Sequence, residues 1–264
     1  MGNGWNLTIL KLGGSLITFK DKPRKVNAQN IRKVARAIAS AIPAMKSTHL
    51  LLLHGGGSFG HYYAKRYGLS REVKTVQPEH VATISAAMME LHTSVLEELI
   101  LANVPCVSVL AGQIVTQSGH HLSESGKRHI ETLFQCGVVP ISFGNVLMSE
   151  NGCKIISGDD LALAVVRAFG GRPIRVVFGM DVDGVFSDEK MRGKVIESIE
   201  EDFRISTRTR IFDVTGGIGA KIDTGLELAK LHADVYFING SNQRRIVQVL
   251  SGEDKVKGTR IYAR

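Results

Sequence analysis

Apolar runs alternate along the chain with stretches in which apolar positions recur every three to four residues. Leu7-Thr8-Ile9-Leu10-Lys11-Leu12 and His49-Leu50-Leu51-Leu52-Leu53 are nearly continuous apolar runs, and residues 104–110, 138–143, 174–178 and 235–238 repeat the pattern. Runs of this length and density predict strands buried on both faces. Between them, residues 27–42 carry Ile31, Val34, Ala35, Ile38 and Ile42 on one helical face, with Asn27 placed as N-cap. Residues 79–102 have the same periodicity through Val81, Ile84, Met88, Leu91 and Val95. Further helices are predicted over 127–136, 161–169, 217–231 and 242–250, with hairpin turns near Gln117-Ser118-Gly119 and Ser149-Glu150-Asn151-Gly152.

Strands alternating with helices imply an α/β fold, a three-layer αβα sandwich around an open, mainly parallel central sheet. No Pro/Ser-rich linker or internal repeat divides the chain. It reads as a single domain, residues 1–264, with lobes at about 1–170 and 171–264 that part at Gly170-Gly171-Arg172-Pro173.

Composition narrows the function. The chain has 264 residues, 44% apolar and 22% charged, which excludes disordered, collagen-like and coiled-coil classes. No apolar run reaches the ~20 residues of a membrane helix. Residues 1–6 lack the basic start and apolar stretch of a signal peptide. Cys106, Cys136 and Cys153 have no metal-binding spacing and cannot all pair with one another, so reduced thiols in the cytoplasm are expected. The net charge of +8 suits an anionic partner. The basic residues are dispersed, with denser groups at 20–25 and 204–210, and no aromatic stacking motif accompanies them, which favours a phosphorylated small molecule over nucleic acid.

Four glycine-rich segments adjoin predicted elements: Gly13-Gly14-Ser15, Gly55-Gly56-Gly57-Ser58-Phe59-Gly60-His61, Ser157-Gly158-Asp159-Asp160 and Thr215-Gly216-Gly217-Ile218-Gly219-Ala220-Lys221. Glycine lets backbone N–H groups approach a ligand, and helix starts favour anions. Neither the Walker pattern nor a dinucleotide fingerprint is present: Ile222 follows Lys221 where Ser or Thr would be needed. Lys11 ends an apolar strand, where an idle buried charge would cost several kcal/mol.

Lys11-Leu12-Gly13-Gly14-Ser15, the His54–His61 glycine segment, Ser157-Gly158-Asp159-Asp160, Asp181-Val182-Asp183-Gly184-Val185 and Asp213-Val214-Thr215-Gly216-Gly217 occur in the order of the amino acid kinase superfamily. The resemblance runs from Leu7 to Gly258-Thr259-Arg260-Ile261, and within the superfamily the chain looks most like the isopentenyl phosphate kinases, with the segment ending in His61 as the most discriminating motif. That resemblance implies transfer of a phosphoryl group from ATP, with Mg²⁺, to isopentenyl phosphate in isoprenoid biosynthesis. Dimethylallyl phosphate is a further candidate acceptor, and a homodimer is the default assembly.

The resemblance also implies site residues. Lys11 and Lys20, nine residues apart, and Lys221 would be the catalytic cations, with Asp159 orienting Lys11 and Lys221. His61 would donate to the acceptor phosphate, with backbone contacts from Gly56 and Gly158. Lys11, Gly13, Gly14, Ser15, Gly57, Asp181, Gly217 and Lys221 would surround ATP, and Mg²⁺ would be held by ATP and water rather than by a protein cage. His54 reads as structural, Asp159 could alternatively be an N-cap, and residues 62–91 are positioned to line a prenyl pocket. Met180 and Asn145 stand where the family commonly has Thr and Asp. Three other readings stay open: a fosfomycin-type phosphonate kinase, a non-catalytic nucleotide-binding regulator, and a nucleic-acid binder.

Overall fold

The structure is a computed structural model that describes residues 6–69, 72–150, 152–187, 193–200 and 217–262. Among these residues, one sheet of eight strands forms the middle layer. Its centre is β1 (Asn6–Leu12), which pairs in parallel with β2 (Thr48–His54) on one side and β7 (Ile174–Met180) on the other. β2 continues to β4 (Val139–Phe143) and the edge strand β3 (Cys106–Ser108). β7 continues to β9 (Asp234–Asn239), to the antiparallel β10 (Thr259–Ile261), and to β8 (Ser198–Ile199). A separate antiparallel hairpin joins β5 (Asn145–Ser149) to β6 (Gly152–Ile156).

The unbroken apolar character of the central strands follows from burial on both faces. Leu7, Ile9, Leu51, Leu53, Val176, Phe178, Val235 and Phe237 point into one core, packed by α5 (Ala111–Ile114), α6 (Glu124–Gln135), α7 (Gly158–Phe169) and α8 (Ile218–Lys230). The intervening Leu10, Leu12, Leu50, Leu52, Val177, Tyr236 and Ile238 point into the other. That second core is packed by α1 (Gly14–Ile17), α2 (Ala28–Ala41), α3 (Gly57–Arg66), α4 (Pro78–Leu101) and α9 (Gln243–Leu250). The three-layer sandwich therefore matches the expectation from the sequence, and the sheet runs unbroken past Gly170 through the β1–β7 pairing.

Most predicted elements form with their ends moved by a few residues, and Asn27 caps α2 by accepting from the Asn30 N–H at 3.2 Å. The expected strand over 104–110 shortens to Cys106–Ser108, as suits a sheet edge. Both expected hairpins form, one through the Val115–Leu122 bridge and one through β5–β6. The basic group 204–210 and the Asp213–Gly216 part of the last glycine motif lie outside the described residues.

The strand order places a topological switch at β1, because the chain leaves it toward β2 and returns on its other side as β7. In open α/β sheets the crevice beyond the carboxyl ends of such strands is where ligands bind. Lys11 and the first two glycine loops stand at that end.

Candidate functional site

Lys11 lies on β1 opposite Leu53 and Phe178, on the face that carries Leu7 and Ile9, and its Nζ is 5.7 Å from the centre of the Phe178 ring. It is 4% exposed. A charge so placed needs a partner, and Asp159 Oδ1 is 2.6 Å from Nζ. Asp159 is free for this because the cap of α7 is made by its neighbours. The Ser157 hydroxyl accepts from the Asp160 N–H at 3.1 Å, and the Asp160 carboxylate accepts from the Ser157 N–H at 2.8 Å. The alternative reading of Asp159 as the N-cap is thereby corrected: Ser157 holds that position. Gly158 keeps the start of α7 close to β2 and to Lys11, since a Cβ there would lie 3.1 Å from the His54 carbonyl and 3.4 Å from Lys11 Cε. Burial alone would raise the Asp159 pKa. Lys11 above all, then Lys221 and His61, outweigh it and hold the carboxyl below its ordinary range. The structure thus brings Lys11, Asp159, Lys221 and His61 into one electrostatic cluster.

The first two glycine loops interlock. A Cβ on Gly14 would lie 2.2 Å from the Gly57 nitrogen, and Gly57 has φ of +48°, the left-handed conformation that favours glycine. Thr18 locks the pair: its hydroxyl donates to the Gly14 carbonyl at 2.8 Å and accepts from the Ser58 N–H at 3.0 Å. Gly56 stands at the N-cap of α3 and has no side chain of its own to cap the helix, so in the first turn Thr18 takes the Ser58 N–H and the Gly56 carbonyl takes the Phe59 N–H. His61 lies in the second turn of α3 and is exposed.

Beyond β7, the Ser15 hydroxyl donates to Asp181 Oδ1 at 2.7 Å and Lys20 Nζ lies 3.1 Å from Asp181 Oδ2. Lys20 is carried on a turn between Thr18 and Val26, which form an antiparallel bridge. Burial would raise the Asp181 pKa, but Ser15 and Lys20 together hold it low. Lys20 is therefore positioned through Asp181, a pairing the sequence reading did not contain. Asp183 anchors the same loop, accepting from Arg245 at 2.8 Å and Asn239 at 2.9 Å, and these bonds lower its pKa to about 2. Gly217 is the N-cap of α8, again with no capping side chain, and Lys221 follows in that helix. Met180 is buried in the core beside Val185, and Asn145 donates to the Ser85 hydroxyl at 3.3 Å while accepting from the Val146 N–H. Among the described residues no three His, Cys, Asp or Glu side chains cluster in a way that could hold a metal ion.

His54 is fully buried behind the second glycine loop and stacks on Phe143, with ring centroids 5.2 Å apart. Its partner His92, on α4, was not singled out from the sequence, where it looks like one more polar residue on a helix. Burial lowers the pKa of His54 to about 3 and of His92 to about 4. Unfolded histidine titrates near 6.5, so between that pH and 4 the unfolded chain binds protons that the folded chain refuses. Stability contributed by these rings is full above pH 6.5 and is lost as pH falls toward 4, on the order of several kcal/mol for the pair. The depressed carboxylates act in the same direction only at lower pH. Urea unfolding at pH 7.5 and 4.5 is expected to show a clear drop in midpoint at the lower pH, and equal midpoints would contradict the burial of neutral rings.

A profile of the amino acid kinase family matches residues 6–239. The chain is 31% identical to the isopentenyl phosphate kinase of Methanothermobacter thermautotrophicus, over 97% of this chain and 98% of that protein. It is 29% identical to that of Methanocaldococcus jannaschii, with the same shares covered. The crystal structure of the T. acidophilum isopentenyl phosphate kinase product complex superposes with a TM-score of 0.77 at 26% identity, over 97% of this chain and 99% of that one. Matched along nearly its whole length in sequence and in fold, with its paired lysine and aspartate at the switch point of the sheet, the chain belongs to the amino acid kinase family.

Proposed function

We propose that the protein transfers the γ-phosphoryl group of ATP to isopentenyl phosphate, giving isopentenyl diphosphate and ADP. The single observation that carries this reading is the buried Lys11–Asp159 pair, whose carboxylate also feels the charges of Lys221 on α8 and His61 on the helix of the second glycine loop. An oxygen of the acceptor phosphate attacks the γ-phosphorus, and the bond from that phosphorus to the β-phosphate oxygen breaks. The acceptor is already an anion near neutral pH, so no base has to remove a proton. The barrier is the repulsion between two phosphates brought into line, which positioning and cations lower.

In this reading Lys11 lies between donor and acceptor, Lys221 and Lys20 neutralise the nucleotide side, and Asp159 keeps Lys11 and Lys221 oriented. Gly13, Gly14, Ser15, Gly57, Asp181 and Gly217 surround ATP, while Gly56, Gly158 and His61 hold the acceptor phosphate. Residues 1–170 then serve the acceptor and lend Lys20 and the loops at Gly13–Ser15 and Gly57 to the ATP phosphates, while residues 171–264 serve the rest of the nucleotide. Mg²⁺ would arrive with ATP and shield its phosphates. Residues of α3 and α4 would line the prenyl tail. A cytosolic homodimer fits the three free cysteines and the usual symmetry of such enzymes.

The test is product identification by mass spectrometry with isopentenyl phosphate, dimethylallyl phosphate, fosfomycin and acidic amino acids offered in parallel with Mg-ATP. Isopentenyl diphosphate is the expected product, and transfer only to another acceptor rejects the reading. One charge-assisted hydrogen bond from His61 is worth about 1.5–3 kcal/mol. His61→Ala is therefore expected to lower kcat/KM for isopentenyl phosphate by roughly ten- to a hundredfold, with the KM for ATP little changed. His61→Gln should keep more activity than His61→Ala if the ring donates rather than transfers a proton.

A further inference from the structure

Behind the acceptor loop, Ser108, His92 and His54 form a chain whose hydrogen-bond directions have one neutral solution. The Gly55 carbonyl can only accept, so His54 Nδ1, 3.1 Å away, carries the proton. Nε2 of the neutral His54 ring is then an acceptor, and His92 Nδ1 at 3.0 Å must donate to it. His92 Nε2 is left to accept, and the Ser108 hydroxyl donates to it at 2.6 Å. Both rings are buried and stacked against Phe143, and burial keeps both uncharged at neutral pH. Filling that space would require only apolar groups, so the polar chain calls for another explanation.

Its end point supplies one. The Gly55 carbonyl and the Gly56 N–H belong to one planar peptide unit and point in opposite directions. That unit lies between glycines, which restrain its rotation least. Fixing the carbonyl from behind fixes the direction of the N–H in front. We propose that Ser108, His92 and His54 are positioning residues that hold the Gly55–Gly56 peptide so that the Gly56 N–H faces the acceptor phosphate. The proposal rests on the reading of this loop as the acceptor site.

The chain requires both histidines to be Nδ1–H tautomers, the reverse of the usual preference of free histidine for Nε2–H. Nitrogen-15 spectra of the whole protein at pH 7 read this directly, and an Nε2–H or doubly protonated His54 would overturn the proposal. His92→Phe leaves His54 Nε2 without its donor and should raise the KM for isopentenyl phosphate by about fivefold, the worth of one neutral hydrogen bond, with the KM for ATP and kcat nearly constant. Should that variant fail to fold, Ser108→Ala carries the test: His92 should begin to populate Nε2–H, and the acceptor KM should rise about twofold. Unchanged acceptor KM in a folded variant with the tautomer shift means the chain is only scaffolding. Affinity for inorganic phosphate, followed through the Gly56 amide resonance, gives a readout independent of turnover. If the wild-type protein does not use isopentenyl phosphate, the substrate assignment fails by itself, and weaker phosphate binding in the variants still supports the chain while unchanged binding overturns it.

Discussion

Lys11→Met is expected to lower kcat by about a thousandfold or more, with KM for both substrates changed far less. Methionine keeps an unbranched apolar stem against Phe178 and removes the ammonium, so the variant tests the charge rather than the packing. On the proposed mechanism the charges of ATP and the acceptor in each ground-state complex are also met by Lys221, Lys20 and helix starts. The ammonium of Lys11 counts most while the phosphoryl group is between the two oxygens, and an interaction made mainly then appears in kcat. The low exposure of Lys11 sharpens the effect, because a fixed charge away from water stabilises developing charge without reorganising solvent. Loss of Lys11 also removes the main influence that lowers the Asp159 pKa, so that carboxyl should titrate higher in the variant. Steady-state kinetics with both substrates varied, after circular dichroism shows the variant folded, gives the answer. A fall in kcat of less than about tenfold would place the transferring group away from Lys11.

The parts of this molecule that were legible in its sequence are those whose meaning is local. β1, β2, β7 and β9 are apolar throughout because helices cover both faces of the sheet, so burial is visible in single segments. α2 and α4 show their helical period because one side packs on that sheet. β8 and β10 are two and three residues long and exist through their pairing with strands distant in sequence, which no short window contains. α3 is glycine-rich and polar at its start, where Gly57 is left-handed and the Ser58 N–H is held by Thr18 from 40 residues away. The same division runs through the site. Lys11 stands out as a cation ending a buried strand, and Asp159 came forward through the motif it belongs to. Thr18, His92 and Ser108 carry no such mark, since each acquires its role only from a contact across the fold. Lys20 came forward through the family resemblance, whose second lysine it matches nine residues after Lys11, while its attachment to Asp181 appears only when β1 and β7 lie side by side.

Asp159→Ala is expected to destabilise the protein by about 3–5 kcal/mol, because it leaves the Lys11 ammonium buried without its counter-charge. A small further loss comes from removing an acidic residue in the first turn of α7, about 0.3–1 kcal/mol. Activity should fall as well, since Lys11 and Lys221 would no longer be held together. Loss of activity alone would not distinguish an orienting role from simple unfolding, and stability supplies the separation. The double variant Lys11→Met with Asp159→Leu removes both charges, fills much of the space, and should recover stability to within about 1–2 kcal/mol of the wild type while remaining inactive. Urea unfolding of the wild type, Lys11→Met, Asp159→Leu and the double variant closes the cycle, with Asp159→Ala measured beside it. Strongly non-additive losses, with the double variant more stable than Asp159→Ala, are the expected pattern. Strict additivity would mean that the 2.6 Å pair contributes no coupling to the folded state, and that Asp159 acts on the reaction by some route other than Lys11.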